Sequence, residues 1–174
     1  MALTKIRAGG YDTGGIIQVQ HTQFTGTNTI SGTSGADSTF TDLTVNITPT
    51  RTSSIIHLQA HVFGEHGEDN SNAYNHAFFF FRDTTKLAHP TAGSRNIGIS
   101  MATRTFSSED DASTPEVARF DYFDSPSSTS QITYKVGLVP RLDGDFFLNR
   151  TADDTDSIIH ERGVSFISAT EIAG

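Results

Sequence analysis

Three short motifs carry residues that could do nucleophilic chemistry: Asp12-Thr13-Gly14, His66-Gly67, and Ser100 within Gly98-Ile99-Ser100-Met101-Ala102-Thr103. They stand in the order Asp, His, Ser, one of the chain orders in which a serine-hydrolase triad occurs. A triad in that order places its serine at the start of a helix in an α/β fold. Ser100 instead falls in an alternating Ile-Gly-Ile-Ser-Met run, which reads as strand. His57, His61 and His76 offer imidazoles to a zinc or nickel ion. Residues four apart on one strand are about 13 Å apart at 3.3 Å per residue, too far for one ion that takes its nitrogens at about 2.1 Å. Such a site would need one histidine from each of three chains around an axis. The acidic stretches Glu65 to Asp69, Glu109 to Asp111 and Asp153 to Asp156 lack the calcium-loop spacing with its closing glutamate, and they read as solvated loops. Carboxylates of the kind used in glycoside hydrolysis are present, but no pocket is legible in the sequence. The expectation is a protein with no catalytic residue, no metal and no cofactor.

The elements that must position these side chains are organised around Ala73 to Asp83, AYNHAFFFFRD. Successive side chains of a strand point to opposite faces, so Phe78 and Phe80 face one way while Phe79 and Phe81 face the other. A sheet with one wet side shows polar residues at every second position. This strand needs cover on both faces, one from the domain's core and one from a second layer or another subunit. Phe79 and Phe81, or the opposite pair, are expected at an oligomer seam, with His57 and His61, which point the same way along their own strand; the alternative is a strand internal on both sides.

The chain of 174 residues is long enough to hold one full core. Thirteen phenylalanines and fifteen glycines, with many threonines and serines, favour strands and turns over helices. A net charge of -8 with twelve scattered basic residues argues against a nucleic-acid partner. No cysteine is present, which excludes disulfides, thiolate nucleophiles and cysteine-ligated zinc. No apolar run is long enough for a signal peptide or for insertion into a membrane.

Residues 1–15, with two Gly-Gly pairs, read as a flexible N-terminal arm. From Ile16 the chain alternates through Phe24 as a half-buried strand, with Ile17, Val19 and His21 on one face and Gln18, Gln20 and Thr22 on the other. A weak edge strand is expected around Thr29 and Ile30, and further strands over Thr39 to Thr48 and Ser54 to Phe63, the latter with Ile56, Leu58, Ala60 and Val62 inward. Beyond the phenylalanines, residues 83–96 read as loop, followed by a small-residue strand through Ile97, Ile99 and Met101. Val117 to Asp124 and Gln131 to Leu138 are expected to pair as a hairpin. Phe146 to Leu148 and Val164 to Ile172 are the last strands. Eight or nine strands without a helix make a sandwich over residues 16–174.

Several phrases in that span, LTVNITPTRTSSIIHLQAHV, FRD, DYFDSPSSTSQITYKVGL and the terminal ISATEIAG, resemble small structural proteins of tailed bacteriophages. The resemblance implies an all-β jelly roll of the tumour-necrosis-factor and complement-head type, trimeric, and a non-enzymatic place in the virion after assembly in the host cytoplasm. It implies either a capsid decoration (cement) protein bound to the major capsid protein or other virion proteins, or a tail-fibre tip that binds host surface glycan. The fibre shaft carried upstream by fibre-tip versions is not seen here, which favours decoration. On that reading the arm anchors the trimer, with Leu3 and Ile6 giving apolar contacts and Lys5 and Arg7 giving charge.

Overall fold

The computed structural model describes residues 14–67, 76–102 and 113–174. Every regular element among them is a strand: β1 Ile16–Phe24, β2 Asn28–Gly32, β3 Ser38–Ile47, β4 Ile55–His66, β5 His76–Arg82, β6 Thr85–Leu87, β7 Ser100–Ala102, β8 Glu116–Asp124, β9 Ile132–Val139, β10 Gly144–Leu148 and β11 Ser165–Ile172. The first sheet runs β1-β11-β4-β10-β2 with β8 on the other edge of β4, and the second runs β3-β9-β5-β6 with β7 also on β5. All pairings are antiparallel. The chain passes from sheet to sheet at β2 to β3, β3 to β4, β4 to β5, β7 to β8, β8 to β9 and β9 to β10, and its first strand lies beside its last. The protein is an all-β jelly-roll sandwich.

The two inner faces meet in one core. From β4 come Ile56, Leu58, Ala60 and Val62, all inward as their alternation requires, and they face Phe78, Phe80, Tyr134 and Val136 of the second sheet. Phe40, Phe78 and Phe146 interlock, Phe146 meeting the other two edge-on at 5.7 Å between centroids. Asp124 is buried where the sheets approach and accepts from the Tyr134 hydroxyl at 2.7 Å and from Arg82 at 2.9 Å. A buried carboxylate is tolerable only when paired and hydrogen-bonded, and both conditions hold here.

Two further carboxylates pin loops. Glu171 of β11 is fully buried and accepts from Ser54 at 2.6 Å, from Gln18 at 2.6 Å, and from the Thr50 amide and hydroxyl at 2.7 and 2.8 Å. Burial alone would raise its carboxyl; these four donors outweigh burial and hold it below the usual carboxylate range. Glu65, near the end of β4, accepts from Thr114 N and Oγ1 and from Ala152 N, tying two loops to the first sheet.

Several expectations are corrected. Phe79 does not wait for a second subunit: it is fully buried, packed with Ala77 and Val139 and covered by Phe81, Ala88 and Ile99 of the same chain. Lys86 completes the cover, its Nζ standing 3.9 Å from the ring centroid. Gly137 makes room on the next strand, since a Cβ there would lie 2.5 Å from the Phe79 ring. The stretch expected to be all loop contains β6, which turns back on β5 through Asp83 at φ 53°. β8 and β9 are not a hairpin: β8 pairs with β4, and β9 with β3 and β5. Their linker, with Pro126 and with Ser127 at φ 52°, crosses between sheets. In β1 the more apolar of the two faces is the outer one, with Val19 and His21 exposed. Gln18 and Thr22 bond inward to Glu171 and the Thr44 carbonyl.

Candidate functional site

The outer face of the first sheet is where sequence and structure converge. Register places Val19, Thr170, His57 and Phe123 in one row across β1, β11, β4 and β8, then His21, Ser168, Gln59 and Asp121, then Gln23, Phe166, His61 and Arg119. A fourth row pairs Phe63 with Val117. Strand alternation sends all of these away from the core. Phe123 is 60% exposed, Val19 53%, Val117 49% and Phe166 39%, an apolar load unlike a face that ends in water.

The two histidines of the expected seam organise this face. His57 stacks flat on Phe123, 4.3 Å between centroids and 8° between planes, and its Nε2 lies 3.1 Å from the Asp121 carboxylate. His61 stacks on Phe166 at 5.6 Å and 7°, and its Nδ1 accepts from Arg119 Nε at 2.8 Å. Burial first, and then the Arg119 charge, lower the His61 pKa, so its ring is held neutral as an acceptor. Gln59, Arg119, Asp121 and Phe166 surround a shallow cleft of about 470 Å³. Phe123 and Phe166 were not singled out in the sequence. Their signal was parity: Phe123 falls with Arg119 and Asp121, opposite the buried Ala118 and Phe120.

The catalytic patterns do not assemble. Ser100 lies in β7, opposite Phe78, rather than at a helix start, and Asp12 is outside the described residues. His66 Nδ1 is engaged by His76 Nε2 at 2.6 Å and by the Asp145 carbonyl at 3.0 Å. His76 belongs to the second sheet and is buried, so it is no neighbour of the His57 and His61 pair. Among the described residues no three His, Asp or Glu side chains are grouped to hold a metal ion. Leu3, Lys5, Ile6 and Arg7 lie outside the described residues; Gly14, the first described, donates its amide to the Ala173 carbonyl at 2.7 Å.

These features define a β-sandwich with a built outer face. No family model and no curated protein matches the chain. Among solved structures the chain is similar to the VP2 subviral particle of infectious bursal disease virus, at 14% identity and a TM-score of 0.35. That match covers 89% of this chain and 41% of the VP2 chain, so this chain spans about two fifths of its length. A likeness at that level does not reach to function.

Proposed function

We propose that the protein is a non-enzymatic virion structural protein of a tailed bacteriophage: a homotrimeric capsid decoration protein whose N-terminal arm anchors it to the major capsid protein or another virion protein. The observation that carries this reading is the outer face of the first sheet, where stacked His57–Phe123 and His61–Phe166 pairs stand partly bare beside Val19 and Val117. Burying an aromatic or aliphatic side chain contributes about 1.5–3 kcal/mol, so a copy of this chain is a favourable cover. Arg119 and Asp121 sit two apart on β8, both outward, so opposed copies can exchange ion pairs across the seam. The seam therefore rests on His57 and His61 with the rings beneath them, and no longer on Phe79. The arm suits an anchor because Leu3, Lys5, Ile6 and Arg7 put small apolar groups and positive charge on a chain of net charge -8.

Sedimentation tests the assembly and its anchor together. The intact chain is expected as a trimer without metal. Phe123→Ser with Phe166→Ser is expected to give soluble monomers with an unchanged β-sheet circular dichroism spectrum. Removing residues 1–13 is expected to leave the trimer and its melting temperature intact while abolishing incorporation into particles. A wild-type monomer at micromolar concentration would end the seam argument, and normal incorporation of the truncated trimer would end the anchor argument.

A further inference from the structure

We propose that the open edge of β8 is an interface between two copies of this chain, joined strand to strand across a two-fold axis at Phe120. Among the described residues β8 has one strand partner, β4, and no backbone hydrogen bond runs from Val117 to Asp124 to anything else. A strand edge left in that state offers a row of amides and carbonyls that another strand can take. The other edges are short or broken: β2 has five residues and β6 and β7 three each, while the pairings of β1 and β3 carry register shifts. β8 keeps nine residues in unbroken register, with neither proline nor lysine to deter a second strand.

Side-chain chemistry selects the occupant and its register. Alternation allows only antiparallel pairings that keep the exposed row of one copy beside the exposed row of the other. An axis at Arg119 sets arginine against arginine, an axis at Asp121 sets aspartate against aspartate, and an axis further along matches neither charge. An axis at Phe120 sets Arg119 against Asp121 of the second copy and Asp121 against Arg119 of the second copy, with Val117 against Phe123 in the next rows out. All four side chains are exposed, and Cβ atoms directly opposite stand about 4.5–5.5 Å apart, within reach of an ion pair. Each charge is open to the contact. Arg119 gives its Nε to His61 at 2.8 Å and has no carboxylate partner among the described residues. His57 takes only Oδ2 of Asp121, at 3.1 Å. On the inner side Phe120 meets its own copy and Ala118 meets Tyr122, side chains already packed in or against the core. At Asp124 the carboxylate is turned inward to Arg82 and Tyr134, so the pairing runs from Val117 to Phe123. The contact does not need the trimer. In a trimer whose outer faces turn to one axis, this two-fold, perpendicular to the sheet, joins two trimers into a hexamer of D3 symmetry.

Sedimentation and amide hydrogen exchange on the full chain test this. The intact chain is expected to form even-numbered species as its concentration rises, with slowed exchange at alternate residues of β8, those whose amides do not already bond to β4. Arg119→Asp alone and Asp121→Arg alone are each expected to weaken the pairing about tenfold or more, by setting like charges opposite, and to leave those amides exchanging. An equal mixture of the two variants is expected to restore it, because one chain then carries two acids and the other two bases, and so is the double swap Arg119→Asp with Asp121→Arg in one chain. Odd-numbered species only, full pairing in either single variant, a mixture or double swap no tighter than the singles, or pairing without protection in β8 would overturn the proposal. Its failure is separable from that of the trimer: a trimer that forms no hexamer removes the edge contact alone, and a dimer keeps the edge contact and removes the trimer.

Discussion

His76 meets His66 edge-on, 3.9 Å between ring centroids, with Phe146 on a further side at 6.0 Å and the Asp145 carbonyl on the His66 nitrogen they share. Burial first, then the His66 charge, push the His76 pKa down from 6.5 to about 3. Between those values the unfolded chain takes up a proton that the folded chain refuses. The contribution is therefore whole above pH 6.5 and lost as pH falls towards 3. Glu171 adds a second loss lower down: its folded pKa lies below 4.5, so its contribution is present above that value and lost as pH falls through the depressed one. Melting temperature is thus expected to fall steadily from neutral to acid pH, and His76→Phe to flatten the upper part of that fall. Glu171→Gln is expected to cost about 2 kcal/mol at neutral pH, or about 4–8 °C in melting temperature. A His76→Phe curve parallel to the wild type would show that this ring does not set the slope. Neither role was legible in sequence, where His76 stood as a stray imidazole and Glu171 as one polar residue in a terminal strand. Burial and partners from distant segments assign both.

The two-sided apolar character of β5 was legible from four consecutive phenylalanines, whereas what covers Phe79 was not. Its cover comes from Lys86 and Ala88, residues of a stretch whose His, Pro, Gly and Ser content reads as loop, and from Ile99 of the strand expected after it. The space for its ring comes from Gly137 on β9, which the sequence presents only as a gap in an alternating strand. Phe79→Ala is expected to destabilise the fold by about 3–5 kcal/mol and to leave its oligomeric state unchanged. Gly137→Ala places a Cβ against the ring and is expected to cost about 1–3 kcal/mol. Because the two share one contact, their costs should not add: the double variant is expected to be more stable than the sum of the singles implies. Urea unfolding of the four proteins measures this, and strict additivity would refute the coupling. The facing of β1 has a related cause. Val19 faces out because Glu171 and the Thr44 carbonyl give Gln18 and Thr22 polar partners inside.

Most strands of the sandwich could be placed along the chain from alternation, but not assigned to a sheet. A seven-residue linker suits a hairpin and suits a crossing between sheets equally well, and only the crossing lets β8 complete the edge of β4. The same topology brings Gly15 and Ala173 together, the amide of Ala173 donating to the Gly15 carbonyl at 2.9 Å. Those two positions are adjacent ends of an antiparallel pair, so a force pulling residue 1 away from residue 174 opens β1 from β11 like a zipper. The eight registered pairs from Ile16 to Phe24 break in turn instead of sharing the load. Behind them the inward side of β1 holds Gln18, Gln20 and Thr22 and reaches the core only at Phe24. Single-molecule extension between these ends should therefore record a weak early release of β1 before the sandwich yields, and one strong rupture of the entire domain would contradict it. Strain entering ahead of Gly14 would thus strip a strand and spare the core, which makes β1 a mechanical fuse.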